Sequence, residues 1–369
     1  MKEFKRKIQE ITSIPTENIT FFWKGRVALY AILKAIGIQE GDEVIVPAFT
    51  CVVVPNAIIY LDAKPVYVDI DLETYNIDVN KIEEKITSKT RAILAQNIFG
   101  MSSDLDSIMQ IAEKHNLYVI EDCAHGFGGY YKGRPNGSVA DAAFYSTQWN
   151  KPFSTGLGGI AVTKNDKIAE KLRKIETQAI PPAIKDVWSL GFLLLFRDIF
   201  MSSCTYWLIT NIYRFLSKYN LILGSSQGEE IEKPVMPHDF LKGFSNLQAK
   251  RGIKELKNLP DRRKIAELYA KKLNMPFYPE HNYLRFPVLV KNKTAFLKKA
   301  QKHQMEIGDW FLSPLHPVTS NYELWNYNYG EYPNAEYTAA HIVNLPTHSR
   351  INENLINKLC TFVKDNKNL

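Results

Sequence analysis

The stretch Phe144-Tyr145-Ser146-Thr147-Gln148-Trp149-Asn150-Lys151 ends in a lysine, and Gly156, Gly158 and Gly159 follow at once. An apolar run, Ile160-Ala161-Val162, comes next. Upstream, Val119-Ile120-Glu121-Asp122-Cys123-Ala124-His125 reads as a buried strand ending in an acid. Working outward, the segments from about residue 25 to 165 alternate in character. Ala28 to Ile36 has helical spacing, while Glu43 to Val46, Pro65 to Val68, Ala92 to Ala95 and Leu117 to Ile120 are short apolar runs between polar or glycine punctuation. That alternation predicts an α/β fold with a mainly parallel sheet covered by helices. In such sheets ligands sit beyond the carboxyl ends of the strands, where Asp122 falls.

An acid at a strand end, then a serine and a lysine before a glycine-rich turn, is the layout expected of a pyridoxal phosphate (PLP) site. Lys151 is the candidate to bond the cofactor aldehyde as a Schiff base, and Asp122 the candidate partner of the pyridinium nitrogen. Glu121, next door, competes for that second role. The phosphate needs main-chain amides at a helix start together with a hydroxyl. Gly25 and Arg26 precede a helix that begins near Val27, and the Arg26 guanidinium offers a direct phosphate contact, with a solvent-facing side chain as the alternative.

Further segments recur in a telling order: Gly25-Arg26-Val27-Ala28-Leu29, Gly41-Asp42-Glu43-Val44-Ile45-Val46-Pro47, Ala63-Lys64-Pro65-Val66-Tyr67-Val68-Asp69-Ile70-Asp71, and Asn97-Ile98-Phe99-Gly100 with Asp104-Leu105-Asp106. With the lysine segment, the chain resembles the DegT/StrS-type aminotransferases from about Phe21 to Asp166 and again from about Leu241 onward. The resemblance implies a fold-type-I PLP enzyme with a large domain and a smaller C-terminal α+β domain. It implies an amino group taken from glutamate and passed to a keto sugar, nucleotide-linked in most relatives, in polysaccharide or glycoconjugate biosynthesis. It also implies a homodimer in which each subunit covers the other's cofactor. Ser146 matches the family serine at the phosphate, His125 a position near the ring oxygen, and His316 a loop bordering the active site. A lysine at 151 disfavours the related dehydratases, which carry histidine there.

Departures from the family pattern are as informative. Cys51 stands where many relatives place an aromatic residue over the cofactor ring. Gln148 replaces a histidine three residues before the lysine. An asparagine that relatives extend to the neighbouring subunit's phosphate aligns near Leu241, with Lys242 as a substitute. These changes leave room for another PLP-dependent lyase, or for a non-catalytic binding protein on the same fold. Desulfurase chemistry needs a mobile loop cysteine, and neither Cys51 nor Cys123 is placed for it.

The 369 residues are 45% hydrophobic and carry a net charge of +7. That suits an ordinary folded protein of two domains and gives no sign of nucleic-acid binding. Four cysteines without a CxxC pair or zinc spacing, and a basic start with no apolar signal core, lead to an expected cytoplasmic location without a metal. The expected divisions are a PLP-binding domain over 1–183, a hydrophobic insertion over 184–224, and an interdomain helix with the small domain over 225–369. The insertion holds two short aromatic-rich apolar runs, the first broken by Arg197-Asp198 well short of the ~20 residues a spanning helix needs. With Lys185, Arg197, Arg214 and Lys218 nearby, it is expected to lie peripherally in a membrane interface. Packing on a subunit or in the core are the alternatives.

Overall fold

In the computed structural model, the strand that ends in Asp122 is the central one of a seven-stranded sheet. The structure describes residues 1–200 and 228–368, with 205, 208, 209, 211, 212 and 215 between them. The remainder of the insertion lies outside the described residues. In chain order the first ten strands are β1 (Ile19–Phe22), β2 (Glu43–Pro47), β3 (Thr50–Cys51), β4 (Lys64–Val68), β5 (Thr90–Gln96), β6 (Tyr118–Asp122), β7 (Tyr130–Tyr131), β8 (Arg134–Pro135), β9 (Ala142–Ser146) and β10 (Gly159–Thr163). The large sheet runs β1-β10-β9-β6-β5-β2-β4. Only β10 opposes its neighbours in direction. Its strands are apolar almost continuously because both faces are covered, as parallel sheets require.

The helices that cover it are α1 (Lys2–Thr12), α2 (Gly25–Ile36), α3 (Val53–Ile59), α4 (Leu105–His115) and α5 (Asp166–Gln178). Residues of α2, α3 and α5 share a core with Ile120, Phe144 and Ala161. On the other face α4 packs with Ile45, Ile93 and Val119, while α1 meets Tyr145, Ile160 and Val162. The alternation of side chains along a strand thus assigns each residue to one layer. Local chemistry sets the helix ends. Asp104 caps α4 by accepting from the Ser107 amide, and Asn116 closes it in the left-handed conformation.

The segment expected to be an insertion opens on α6 (Ile184–Phe200). No helix among the described residues is long and apolar enough to cross a membrane. The helix Asn246–Leu256 then starts on a capping box between Ser245 and Gln248. In the C-terminal part, β11 (Arg285–Leu289) pairs antiparallel with β13 (Ile342–Pro346), flanked by the helices Arg263–Leu273, Lys293–Lys302 and Glu353–Asn366. Between them β12 (Leu315–His316) crosses over to pair in parallel with β3, setting His316 opposite Cys51. This crossing carries the C-terminal part to the edge of the sheet where Asp122 ends its strand.

Candidate active site

β6 and β9 run side by side and deliver Asp122 and Ser146 to the same edge of the sheet. The turn after β9 carries Lys151, whose amide donates to the Gln148 carbonyl at 3.1 Å. That turn is held at its ends. The Thr147 amide donates to Gly158 O at 2.9 Å, Thr147 and Thr155 hydroxyls meet at 2.6 Å, and Gln248 Nε2 donates to Leu157 O at 2.6 Å. The lysine therefore projects from a fixed loop.

Burial lowers the Lys151 pKa to about 8, with Arg285 and Arg26 acting in the same sense and Asp122 and Cys51 opposing. Burial raises Asp122 to about 6, against a hydrogen bond from the Ala124 amide at 2.9 Å and the charge of Lys151. A buried carboxyl and a buried amine are thus each drawn toward neutral pH by their own burial, while each one's charge opposes the other's shift. Glu121 faces the opposite layer, where Asn97 Nδ2 donates to it at 2.9 Å and the Cys123 thiol at 3.1 Å. The one-residue alternation of β6 separates the two acids and leaves Asp122 on the side of Lys151.

The start of α2 abuts Ser146. A methyl group on Gly25 would sit 2.8 Å from Ser146 Cβ and 3.1 Å from its Oγ, so only glycine permits this approach. Lys24 occupies the N-cap in an extended conformation, and no side chain caps the helix. An uncapped N-terminus beside a hydroxyl is a ready anion cradle. Burial, and then Arg26, lower Lys24 to about 8. The Arg26 side chain is buried and ion-paired to Glu230, which corrects the solvent-facing alternative. What Arg26 adds is positive potential, felt by both Lys151 and Cys51. Lys242 likewise turns inward, to Asp186 at 2.9 Å and Asp239 at 2.6 Å.

His125 accepts from the Phe99 amide through Nδ1 at 3.1 Å. Burial, then Lys151, Arg285 and His316, hold its pKa well below 6.5. The ring is therefore neutral, with its proton on Nε2 as a donor. Its ring lies 4.9 Å from Trp310, a residue the sequence reading missed. Lys151 Nζ is 4.6 Å from the Trp310 ring centre and Arg285 Cζ 4.9 Å, so one indole gathers both cations. The His316 ring stands edge-on to Trp310 at 5.8 Å, and its Nδ1 accepts from the Leu312 amide at 3.1 Å. Burial raises the Cys51 thiol, while Arg26 and Lys151 pull it down and Asp122 pushes it up, which places it among these groups. Gln148 enters through the main-chain contact already described. Trp310, Arg285 and Lys24 were missed. The first lies six residues before His316 in the same loop, and that proximity was the one available signal.

The family model for the DegT/DnrJ/EryC1/StrS aminotransferases matches residues 1–193 and 243–364. The uncharacterized protein MJ1066 of Methanocaldococcus jannaschii is 30% identical, over 92% of this chain and 84% of that one. GDP-perosamine synthase of Escherichia coli O157:H7 is 44% identical over 45% of each chain, so that match spans less than half of the enzyme. Among solved structures, DesV of S. venezuelae superposes with a TM-score of 0.76 at 21% identity, over 99% of this chain and 88% of that one. That likeness concerns the fold. By family model and by relative alike, the chain belongs to the DegT/DnrJ/EryC1/StrS aminotransferase family.

Proposed function

We propose that the protein is a PLP-dependent aminotransferase that moves an amino group from glutamate to a keto sugar, nucleotide-linked, in glycan biosynthesis. The observation that carries the reading is that Lys151 and Asp122 are buried within reach of each other's charge, one near 8 and the other near 6. The nucleotide-linked sugar rests on the name of the Escherichia coli relative. The residues fit the cofactor. The uncapped start of α2 and Ser146 would take its phosphate, Asp122 its ring nitrogen, and neutral His125 its ring oxygen through Nε2–H. Trp310 supplies an aromatic wall near Lys151, which answers the loss of an aromatic residue at Cys51.

When bound, PLP supplies an electron sink for charge that develops on a substrate carbon. The chain's own residues do the rest. Asp122, largely ionised above pH 6, would keep a proton at the ring nitrogen through a charge-assisted hydrogen bond. Lys151, with its lowered pKa, would hold the cofactor at its aldehyde and, as a free amine, would move the proton at the substrate carbon. His316 borders the space open to substrate. The homodimer implied by the family belongs to the same proposal.

The purified protein should absorb in the visible and bleach on reduction. Glutamate should discharge that band, and a keto sugar should restore it. Lys151→Ala should fold and retain cofactor yet lose multiple turnover by more than a thousandfold. Normal turnover in that variant would remove Lys151 from the reaction. A colourless protein that binds sugar without reacting would favour a non-catalytic role.

A further inference from the structure

We propose that the outward side of α6 docks on an anionic lipid bilayer, with the helix lying flat. Its inward side is fixed to the body. Leu190 and Leu194 pack with Trp23 and Leu157, beside Trp149 and Leu247. Arg197 Nη1 donates to the Trp149 carbonyl at 3.3 Å. Asp186 pairs with Lys242, and Asp198 takes Arg251, with Nη2 at 2.8 Å. A helix clamped this way presents its other side permanently.

That other side carries Ile184, Trp188, Phe192, Leu195 and Ile199, each between 59% and 77% exposed. Steps of four, four, three and four place them on one stripe, roughly 22 Å long at the helical rise. Leu208, Ile212 and Phe215, spaced by four and three, are exposed as well. Exposed apolar side chains scattered singly need no explanation, but a continuous row marks an interaction surface.

Charge selects the occupant. Both acids of α6, Asp186 and Asp198, are engaged by cations of the body. Among the described residues of α6, the charge left beside the stripe is exposed Lys185. A convex stripe with a tryptophan and a cationic margin, and no carboxylate, complements a planar anionic surface. The same helix backs the catalytic loop, since Leu190 Cδ1 would lie 2.6 Å from a methyl group on Gly156. The lipid-facing helix and the Lys151 loop are therefore one packed unit.

Vesicle flotation of the full chain tests this, with phosphatidylcholine alone and with phosphatidylcholine containing a third phosphatidylglycerol. The wild-type protein should float with the anionic vesicles and lose most of that binding in high salt. The triple variant Trp188→Ser, Phe192→Ser and Leu195→Ser, shown folded by circular dichroism, should partition at least tenfold less. Lys185→Glu should reduce binding severalfold with the apolar stripe intact. If the wild-type protein stays at the bottom with anionic vesicles, or the triple variant floats equally well, the proposal is overturned. It is equally overturned if neither binds lipid and the triple variant turns a dimer into a monomer, since the stripe is then a subunit contact. Transamination can fail without touching these readouts, so the docking stands or falls separately from the reaction.

Discussion

At the residue scale, Asp122 makes a claim that titration can check. Its folded-state pKa, about 6, lies above the ordinary 3.8 because burial disfavours the charged form. Between roughly pH 4 and 6 the folded protein holds a proton that the unfolded chain has released. Stability from this group therefore falls as pH rises through that window, and the full penalty is present above about pH 6. In the cofactor-free protein, Asp122→Asn should gain about 3 kcal/mol at pH 7.5 and far less at pH 4. Urea midpoints at the two pH values measure it. A variant less stable than wild type at pH 7.5 would show that attraction to Lys151 outweighs desolvation. In the loaded enzyme the same change should cut turnover far more than cofactor occupancy. Arg285 carries a second prediction at this scale. Its guanidinium shares the Trp310 ring with Lys151 and helps lower the lysine pKa. Arg285→Leu should raise the pKa of Lys151 and move the alkaline limb of the spectral titration upward, whereas Arg285→Lys should restore it. An unmoved limb in Arg285→Leu would make the arginine a packing residue alone.

At the element scale, Gly25 is the position where a single carbon matters most. α2 starts against the end of β9, and an alanine would place its methyl 2.8 Å from Ser146 Cβ. Either the helix start or the strand end must shift, at a cost of about 1–3 kcal/mol. Gly25→Ala should weaken cofactor binding about tenfold or more, read by absorbance titration. Unchanged affinity would mean that the phosphate sits elsewhere. The elements themselves were largely legible in the sequence. Strands buried on both faces appear as unbroken apolar runs, so the runs at Glu43, Ala92 and Leu117 match β2, β5 and β6 to within two or three residues. Lys151, Asp122, Ser146 and Gly25 were legible because a strand end and the turn after it are local in sequence. The ion pair of Arg26 was not legible because its partner, Glu230, lies 204 positions away and arrives only through tertiary packing. Trp310 and Arg285 were hidden for the same reason. The proton position on His125 depends on an amide of Phe99, which no pattern in the chain announces.

At the scale of the whole molecule, the C-terminal part is fastened to the lysine loop as well as to the sheet. Arg262 donates to the Pro152 carbonyl at 3.2 Å and reaches Thr347 Oγ1 at 3.5 Å, so one buried side chain spans both parts. The homodimer proposed above raises a different question, namely which residue would cross to the neighbour. Lys242 was the expected substitute for the family asparagine, yet its ammonium is held by Asp186 and Asp239 of its own chain. Its work is therefore intramolecular. It ties α6 to the segment that leads into the helix Asn246–Leu256. Lys242→Ala should loosen that tie and lower stability by about 1–3 kcal/mol, because Asp186 is left half-buried without its cation. Cofactor affinity should stay within about twofold, since this side chain is spent before it can reach another subunit's phosphate. Light scattering should still give a dimer for both proteins, and urea unfolding should separate them. Retained stability together with a tenfold loss of cofactor would reverse the assignment and make Lys242 the residue that reaches across.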